Sequence, residues 1–493
     1  MKKSEQRFNL VDEAWIPISG VGLASLRQVF SDSNYRALGG NPVQKIALTK
    51  FLLAICQAAA TPEDDEAWAA IGEQGMAERA LAYLEGKHDL FWLYGERPFL
   101  QMPSIVAAAV QSFGAVQPSI STGNTTVLFG SQVEVELSDA EKALLVLQLM
   151  GFGLGGKKTD NSIVLSPGYR EKQNDKGRPS TGKPGTSVGF LGFLHNFLTG
   201  ESLQQSLWLN LFSRDQIARI AVLTEGIGIT PWESMPDGED DAVARRLRFS
   251  LMGRLIPVSR FIQITEEGLH YSEGISHPGY KEGVVDPSVA VDYTAKIPKV
   301  LWSDPERRPW RSLPSLLAFL SKGAKGYDCY HLLFGIPRAR SSVNMIGVWS
   351  GGLRLSSNAG EQYASGTDDF IESQFTCDTK FLEETWFDQL KSEMEGLDSI
   401  AKITYSATRN YFKTQQADAD EQAAQASSLF WQLCERRFQD LVNACVDYRA
   451  AKEYRKVFAT YVHKAYDSLC PRDTARQIDA WAKNRPNLAI YLA

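Results

Sequence analysis

Phe381–Met394 reads FLEETWFDQLKSEM, with apolar residues at Leu382, Trp386, Phe387, Leu390 and Met394. Steps of three and four residues set these side chains on one stripe of a helix. The period returns in SSLFWQLCERRFQDLV (Ser427–Val442) and YRKVFATYVHKAY (Tyr454–Tyr466), and glycine nearly disappears from Lys380 to Leu492. The carboxy-terminal part is therefore expected to be a helical bundle that starts between Gln374 and Lys380. Breaks at TQQADAD (Thr414–Asp420) and at Pro471 divide it into about four helices with short connections. Its basic residues Lys402, Arg409, Lys413, Arg449, Lys452, Arg455 and Lys456 form either a solvated face or a binding surface.

Immediately upstream the pattern is different. Met345–Asp369, MIGVWSGGLRLSSNAGEQYASGTDD, starts as two short apolar strands, or a strand and a turn, and runs into a polar loop. A patternless loop of this length is either a plain surface connection or a functional element. Gly351, Gly352 and Gly360 would let a backbone approach a ligand, and Ser356, Ser357, Asn358 and Gln362 offer neutral donors and acceptors suited to base edges. Further upstream, Phe8–Ile18 reads as a first strand, and Ser25 as the cap of a short helix in SLRQVF. Pro42–Ala60 and Glu63–Leu84 have helical spacing, and LFWLYGERPFLQMP is an aromatic segment expected to pack between layers. Ser138 and Glu141 form a capping box for a helix over 140–150. FIQITEEGLHYSEG reads as a hairpin turning at Glu267-Gly268, followed by the loop HPGYKEGVVDP, which presents Lys281. The whole is an α+β chain: a mixed α/β domain over 1–373, then a four-helix bundle over 374–493.

With 493 residues, 44% hydrophobic and 22% charged, the chain is long enough for two or three domains. Lys50 interrupts the longest apolar run, IALTKFLLAICQAAA, so neither secretion nor a membrane span is expected and the compartment is expected to be cytoplasmic. The six cysteines, Cys56, Cys329, Cys377, Cys434, Cys445 and Cys470, form no CxxC pair, which implies reduced thiols, and no metal or cofactor is expected. A net charge of −6 argues against a protein that coats nucleic acid by bulk electrostatics. Local charge differs: between Gly156 and Thr186, Lys157, Lys158, Arg170, Lys172, Lys176, Arg178 and Lys183 face only Asp160, Glu171 and Asp175. That segment is a solvated loop or a phosphate contact. The acidic run from Asp237 and the basic ARRLR after it are expected to pair with each other.

Two catalytic patterns match by letter. Gly151, Gly153 and Gly156 satisfy GxGxxG, but they follow a capped helix where the motif needs a strand, and Lys158 stands where a Walker loop needs a hydroxyl. Gly185–Gly189 fits G-x-S-x-G around Ser187, without the strand that a nucleophile elbow requires. His195, eight residues on, is placed on a helix as a packed or surface residue. A hydrolase or nucleotide-dependent enzyme using Ser187 or the Gly151 loop is thus the second reading, beside a purely structural scaffold. The other histidines, His88, His270, His277, His331 and His463, show no metal-ligand spacing.

The order of FNLVDEAWIPI, SLRQVF, PFLQMP, FGLGGKK, HPGYKEGVVDP and GGLRLSSNAGEQYASGTDDF before a helical bundle resembles the CasA family, the large subunit of the type I-E CRISPR surveillance complex Cascade. The resemblance covers nearly the full chain. It implies a subunit that is not an enzyme, that recognises the protospacer-adjacent motif in double-stranded DNA through the minor groove, and that promotes duplex opening and R-loop formation. It implies as partners a guide CRISPR RNA, the other Cascade subunits and a recruited helicase-nuclease. By position it assigns DNA binding to Gly155, Gly156, Lys157 and Lys158, to Lys281, and to Asn358, Ala359 and Gln362, with Gln362 favoured as the wedge and Asn358 second. Residues Ser119–Gln132 would dock against the guide RNA's 5′ end. This chain departs from the family in lacking the paired CxxC motifs of some members and in separating Asn358 from Gln362 by Ala359-Gly360-Glu361.

Overall fold

The computed structural model describes residues 6–117, 135–152, 165, 192–283, 286–354 and 370–492. They fall into two compact units, Met1–Pro305 with Tyr327–Ser373, and Glu306–Gly326 with Gln374–Ala493.

The first unit is built round a buried helix. After the short α1 (Leu26–Ser31), closed by the Ser25/Gln28 capping box, α2 (Pro42–Ala60) opens with Asn41 and Gln44 capping each other's amides and Pro42 at its first position. Among the described residues α2 is long and apolar enough to cross a membrane, yet 72% of its most apolar window is buried inside the fold. A helix apolar all round belongs in a core. Its Phe51 lies 6.0 Å from Trp15 and 5.5 Å from both Phe99 and Trp232, ring centre to ring centre, which is where the aromatic 90–103 segment packs. Next, α3 (Asp65–Gly86) kinks at Gly72, whose φ of +61° suits glycine. Trp68 of α3 stacks 4.0 Å from Trp208 of α5 (Leu203–Asn210), and each indole N–H donates to the other's backbone carbonyl. Between them in sequence, α4 (Asp139–Gly151) carries the Ser138/Glu141 capping box.

Small sheets flank these helices. The segment 8–18 is two strands where one was expected: β1 (Arg7–Asn9) and β2 (Ile16–Ile18). The Asn9 side chain accepts from the Val11 amide at 2.9 Å, an Asx turn that ends the first strand. β2 pairs with β3 (Gly22–Ala24), and β1 with β4 (Trp92–Tyr94). β7 (Arg260–Ile264) and β8 (Leu269–Glu273) form the expected hairpin, with β5 (Val110–Gln111) on the other edge of β8. The sheet that matters most has the order β12–β11–β6: β6 (His195–Thr199), β11 (Met345–Leu353) and β12 (Phe370–Asp378). His195 is therefore on a strand and not on a helix, because HNFLT pairs with β11 from Gly347↔Thr199 to Gly351↔His195. β9 (Val291–Asp292) and β10 (Lys299–Val300) make a small hairpin, and α6 (Tyr330–Ala339) follows.

In the second unit the bundle helices are α7 (Glu384–Thr414), α8 (Asp420–Glu435), the short α9 (Phe438–Ala444), α10 (Tyr448–Leu469) and α11 (Ala475–Lys483). α7 buries Trp386, Phe387, Leu390, Met394, Leu397, Ile400 and Ala401 along one stripe, and packs on α8, α10 and α11. Glu306–Gly326, placed by sequence in the amino-terminal domain, belongs to this unit. Trp310 packs on Trp431 and Phe438, and Arg311 lies 3.7 Å over the Trp431 ring. Aromatic complementarity across more than a hundred residues of sequence holds it there.

Candidate nucleic-acid interface

Of the residues assigned to DNA binding, Lys281 lies within the described part. Gly155, Gly156, Lys157, Lys158, Asn358, Ala359 and Gln362 lie outside it, as do Ser187 and the segment 119–132. Lys281 sits exposed on a single 3-10 turn, Tyr280–Glu282, closed by Gly283 at φ +81°.

Both ends of the Lys281 loop are buried and polar. At the start, His277 is 2% exposed; its Nε2–H donates to the Pro257 carbonyl at 2.7 Å and its Nδ1 accepts from Arg254 at 3.3 Å. Burial, with Arg254 beside it, holds His277 well below the ordinary histidine value, so the ring is neutral. At the end, Asp286 forms a buried ion pair with Lys50 of α2, the side chains being 9% and 3% exposed. Asp286 Oδ1 also accepts from the Ser288 amide at 3.0 Å and the Ser288 hydroxyl at 2.6 Å. That hydroxyl, having donated, accepts from His195 Nδ1 at 2.8 Å, which fixes the proton on Nδ1. Burial opposes charge on Asp286, but Lys50, His195 and Ser288 overcome it and hold the carboxyl below the usual carboxylate range. On Lys50, burial lowers the ammonium's pKa and Asp286 opposes the shift.

Residues that flank two other assigned stretches also arrive at His195. Phe152, the last described residue before the glycine-rich stretch 153–164, packs against the His195 ring at 6.2 Å. Phe193, at the return of the chain, packs edge-on against Tyr280 of the Lys281 turn at 5.6 Å. On β11, Gly351 pairs with His195, and the Ser350 hydroxyl donates to Asn196 at 2.7 Å. β11 ends at Leu353, just before the amide-rich stretch 355–369. Residues that flank the glycine-rich stretch and the amide-rich stretch thus meet the Lys281 turn at one place, around the first residues of β6.

Gly351 and Gly352 do not serve close approach to a ligand. Both are buried in β11, which is one nine-residue strand, and a β-carbon on Gly352 would lie 2.0 Å from Ser303 Oγ and 2.7 Å from the Phe193 carbonyl. They let the strand pack against its own protein. Sequence reasoning also missed Asp286, Ser288 and the role of Lys50. The available signals were a lysine inside an apolar helix and an Asp-Pro-Ser turn at the end of the loop.

Elsewhere charge pairs with charge. Asp240 binds Arg245 and Arg248 at 3.2 and 2.8 Å. In the bundle Arg409, Arg455 and Lys456 pair with Asp420, Glu393 and Glu453, so those basic residues belong to packed or solvated faces. All six cysteines are buried and free, and burial raises every thiol, Cys329, Cys377, Cys445 and Cys470 to about 12. None is a nucleophile near neutral pH. Among the described residues no group of three His, Cys, Asp or Glu side chains is placed to hold a metal.

The family model of CRISPR-associated protein Cse1 matches residues 9–467. The curated protein CasA/Cse1 of Thermus thermophilus is 28% identical over 346 residues, 64% of this chain and 61% of the relative. The matched region thus spans less than two thirds of that relative. Among solved structures, Thermobifida fusca Cse1 superposes with a TM-score of 0.77 at 18% identity, covering 99% of this chain and 98% of that one. Cse1 from Acidimicrobium ferrooxidans gives 0.69 at 16% identity over 99% and 98%, and a chain of a CRISPR RNA-guided surveillance complex gives 0.68 at 15% identity over 99% of each chain. These likenesses fix the fold, and the family match extends over most of the sequence: the chain belongs to the CRISPR-associated protein Cse1 family.

Proposed function

We propose that this chain is the large subunit of a type I-E CRISPR surveillance complex, Cascade, and that it recognises the protospacer-adjacent motif of double-stranded DNA through the minor groove. In this reading it opens the duplex, promotes R-loop formation and helps to recruit the helicase-nuclease, in the cytoplasm and with no catalytic step of its own. Its partners are the guide CRISPR RNA, the target DNA and the other subunits. The observation that carries the reading is the meeting, around His195, of residues that flank the glycine-rich and amide-rich stretches, with exposed Lys281 beside them, in a chain of this family.

The chemistry is suited to the task. The minor groove offers acceptors on A·T pairs and one added donor on G·C, so a lysine, backbone N–H groups and a side-chain amide read it with some degeneracy. Gly155 and Gly156 allow close approach, Lys157 and Lys158 neutralise phosphate, Lys281 reaches a base edge, and Asn358, Ala359 and Gln362 read and wedge. A net charge of −6 is compatible because guide–target pairing and the other subunits supply most of the affinity.

The test is a gel-shift titration of the assembled complex on duplexes that differ only beside the target. Motif-dependent affinity is expected. Lys281→Ala should weaken the matched duplex by about 1 to 3 kcal/mol, whereas Lys157→Ala or Lys158→Ala should weaken all duplexes and lower the salt slope by about 1. Gln362→Ala should slow opening of a paired target and spare a pre-melted one, and Asn358→Ala should relax the motif. Equal affinity for every flanking sequence would overturn the reading.

A further inference from the structure

We infer that the buried chain Lys50–Asp286–Ser288–His195 is a positioning device that sets where Lys281 stands relative to Phe152 and the end of β11, so that motif discrimination depends on a residue of the core helix that no DNA reaches. The inference rests on the DNA-reading proposal for its consequence, and on the geometry for its cause.

Each link joins a different segment. Lys50 belongs to α2, Asp286 and Ser288 to the end of the Lys281 loop, and His195 to β6. The Ser288 carbonyl accepts from the Asn196 amide at 2.8 Å, so the loop end is tied to β6 by both backbone and side chain. β6 in turn carries β11 through the Gly351↔His195 register. Tyr280 packs the turn edge-on against Phe193 at 5.6 Å, but one ring contact does not fix the position of a lysine beside it. Four hydrogen-bonded polar groups with directional geometry add what that contact lacks, and they are shielded from water that would otherwise compete for them. An apolar contact would have held the loop down without fixing its register. The ion pair is a weak stabiliser on balance, because desolvation offsets much of its attraction; fixing one arrangement is what it adds.

The experiment uses the assembled complex and the double variant Lys50→Met/Asp286→Asn, which removes both charges together and keeps an acceptor for Ser288. The expected result is about a tenfold loss in the affinity ratio between matched and mismatched flanks, the size of one lost base-edge contact, with affinity for the mismatched duplex unchanged. Hydrogen exchange should rise in the peptide covering 277–289 and stay constant in 42–60. Glu393→Gln/Arg455→Met, which removes the buried ion pair of the bundle, should leave both readouts as they are. Ser288→Ala, which cuts the link to His195 while keeping the ion pair, should give the same direction with smaller size and covers the case in which the double variant does not assemble. Unchanged discrimination together with unchanged exchange in 277–289 would overturn the inference. If the wild-type complex itself shows no discrimination, the DNA-reading proposal fails, and the exchange readout still decides whether the chain positions the loop.

Discussion

Each of the two units buries an ion pair, and the two pairs do different work. In the bundle, Arg455 of α10 grips Glu393 of α7 with two nitrogens, at 2.8 to 3.3 Å, and Gln389 adds a third donor at 2.7 Å. The helices it joins are already aligned by their own apolar stripes. In the amino-terminal unit, Lys50 joins a helix to the end of a loop whose sequence has no period. Periodic sequence places itself, because every third or fourth residue repeats the same instruction. Aperiodic sequence has to be held from outside, by groups far away along the chain.

That contrast is sharpest when one partner is removed. Lys50→Met leaves the Asp286 carboxylate inside the fold without its counter-charge, and the cost is expected to be about 3 to 5 kcal/mol. Glu393→Gln should cost less, because Arg455 is 17% exposed and its guanidinium can turn toward water. Denaturant unfolding of the two variants, followed by probes specific to each unit, checks the ranking. Equal losses would mean that the two pairs are equivalent.

Acid provides the next largest difference. Burial holds His331 down to about 3 and His277 well below the ordinary value. Both are in the first unit, where they are neutral when folded and protonate in the unfolded chain below about pH 6.5. The unfolded state then binds more protons than the folded one, so stability falls as pH drops from about 6.5 toward 3, by as much as about 1.4 kcal/mol per pH unit for each histidine. Asp286, with its folded value depressed, adds a loss in the same direction at still lower pH. The bundle has only the half-buried His463, lowered mainly by burial. Melting of each unit measured between pH 7 and 5 should therefore show the first unit losing stability faster, and His331→Phe should flatten its slope.

The same contrast explains what the sequence revealed. The capping boxes at Ser25, Ser138 and their partners lie within four residues, and the stripe of α7 repeats over its own length, so those elements could be read locally. His195 was misplaced because HNFLT is too short for period to separate a strand from a helix, and only its pairing with β11 decides. Phe8–Ile18 looked continuous because the Asx turn at Asn9 leaves little trace in an apolar-rich segment. Lys281 and its turn were legible as a Pro/Gly loop. Its anchor was not, since Lys50 and Asp286 stand 236 residues apart and neither carries a local sign of the other.

The smallest effect is also the cleanest, because one substitution should change sign between the units. Gly352→Ala would place a β-carbon 2.0 Å from Ser303 Oγ and 2.7 Å from the Phe193 carbonyl. The serine can rotate, but the carbonyl belongs to the chain that leads into β6, so the strand itself has to shift. Overpacking of this kind costs about 1 to 3 kcal/mol. Gly396→Ala, inside α7, would meet the Tyr491 ring edge at 3.0 Å. Tyr491 lies near the end of the chain, in the short helix Ala489–Leu492, and its ring can yield by a few tenths of an ångström. There the helix gains from alanine, by up to about 1 kcal/mol. Thermal melting should therefore fall for Gly352→Ala and rise for Gly396→Ala, and Ser303→Ala should rescue Gly352→Ala only in part, because the Phe193 carbonyl remains.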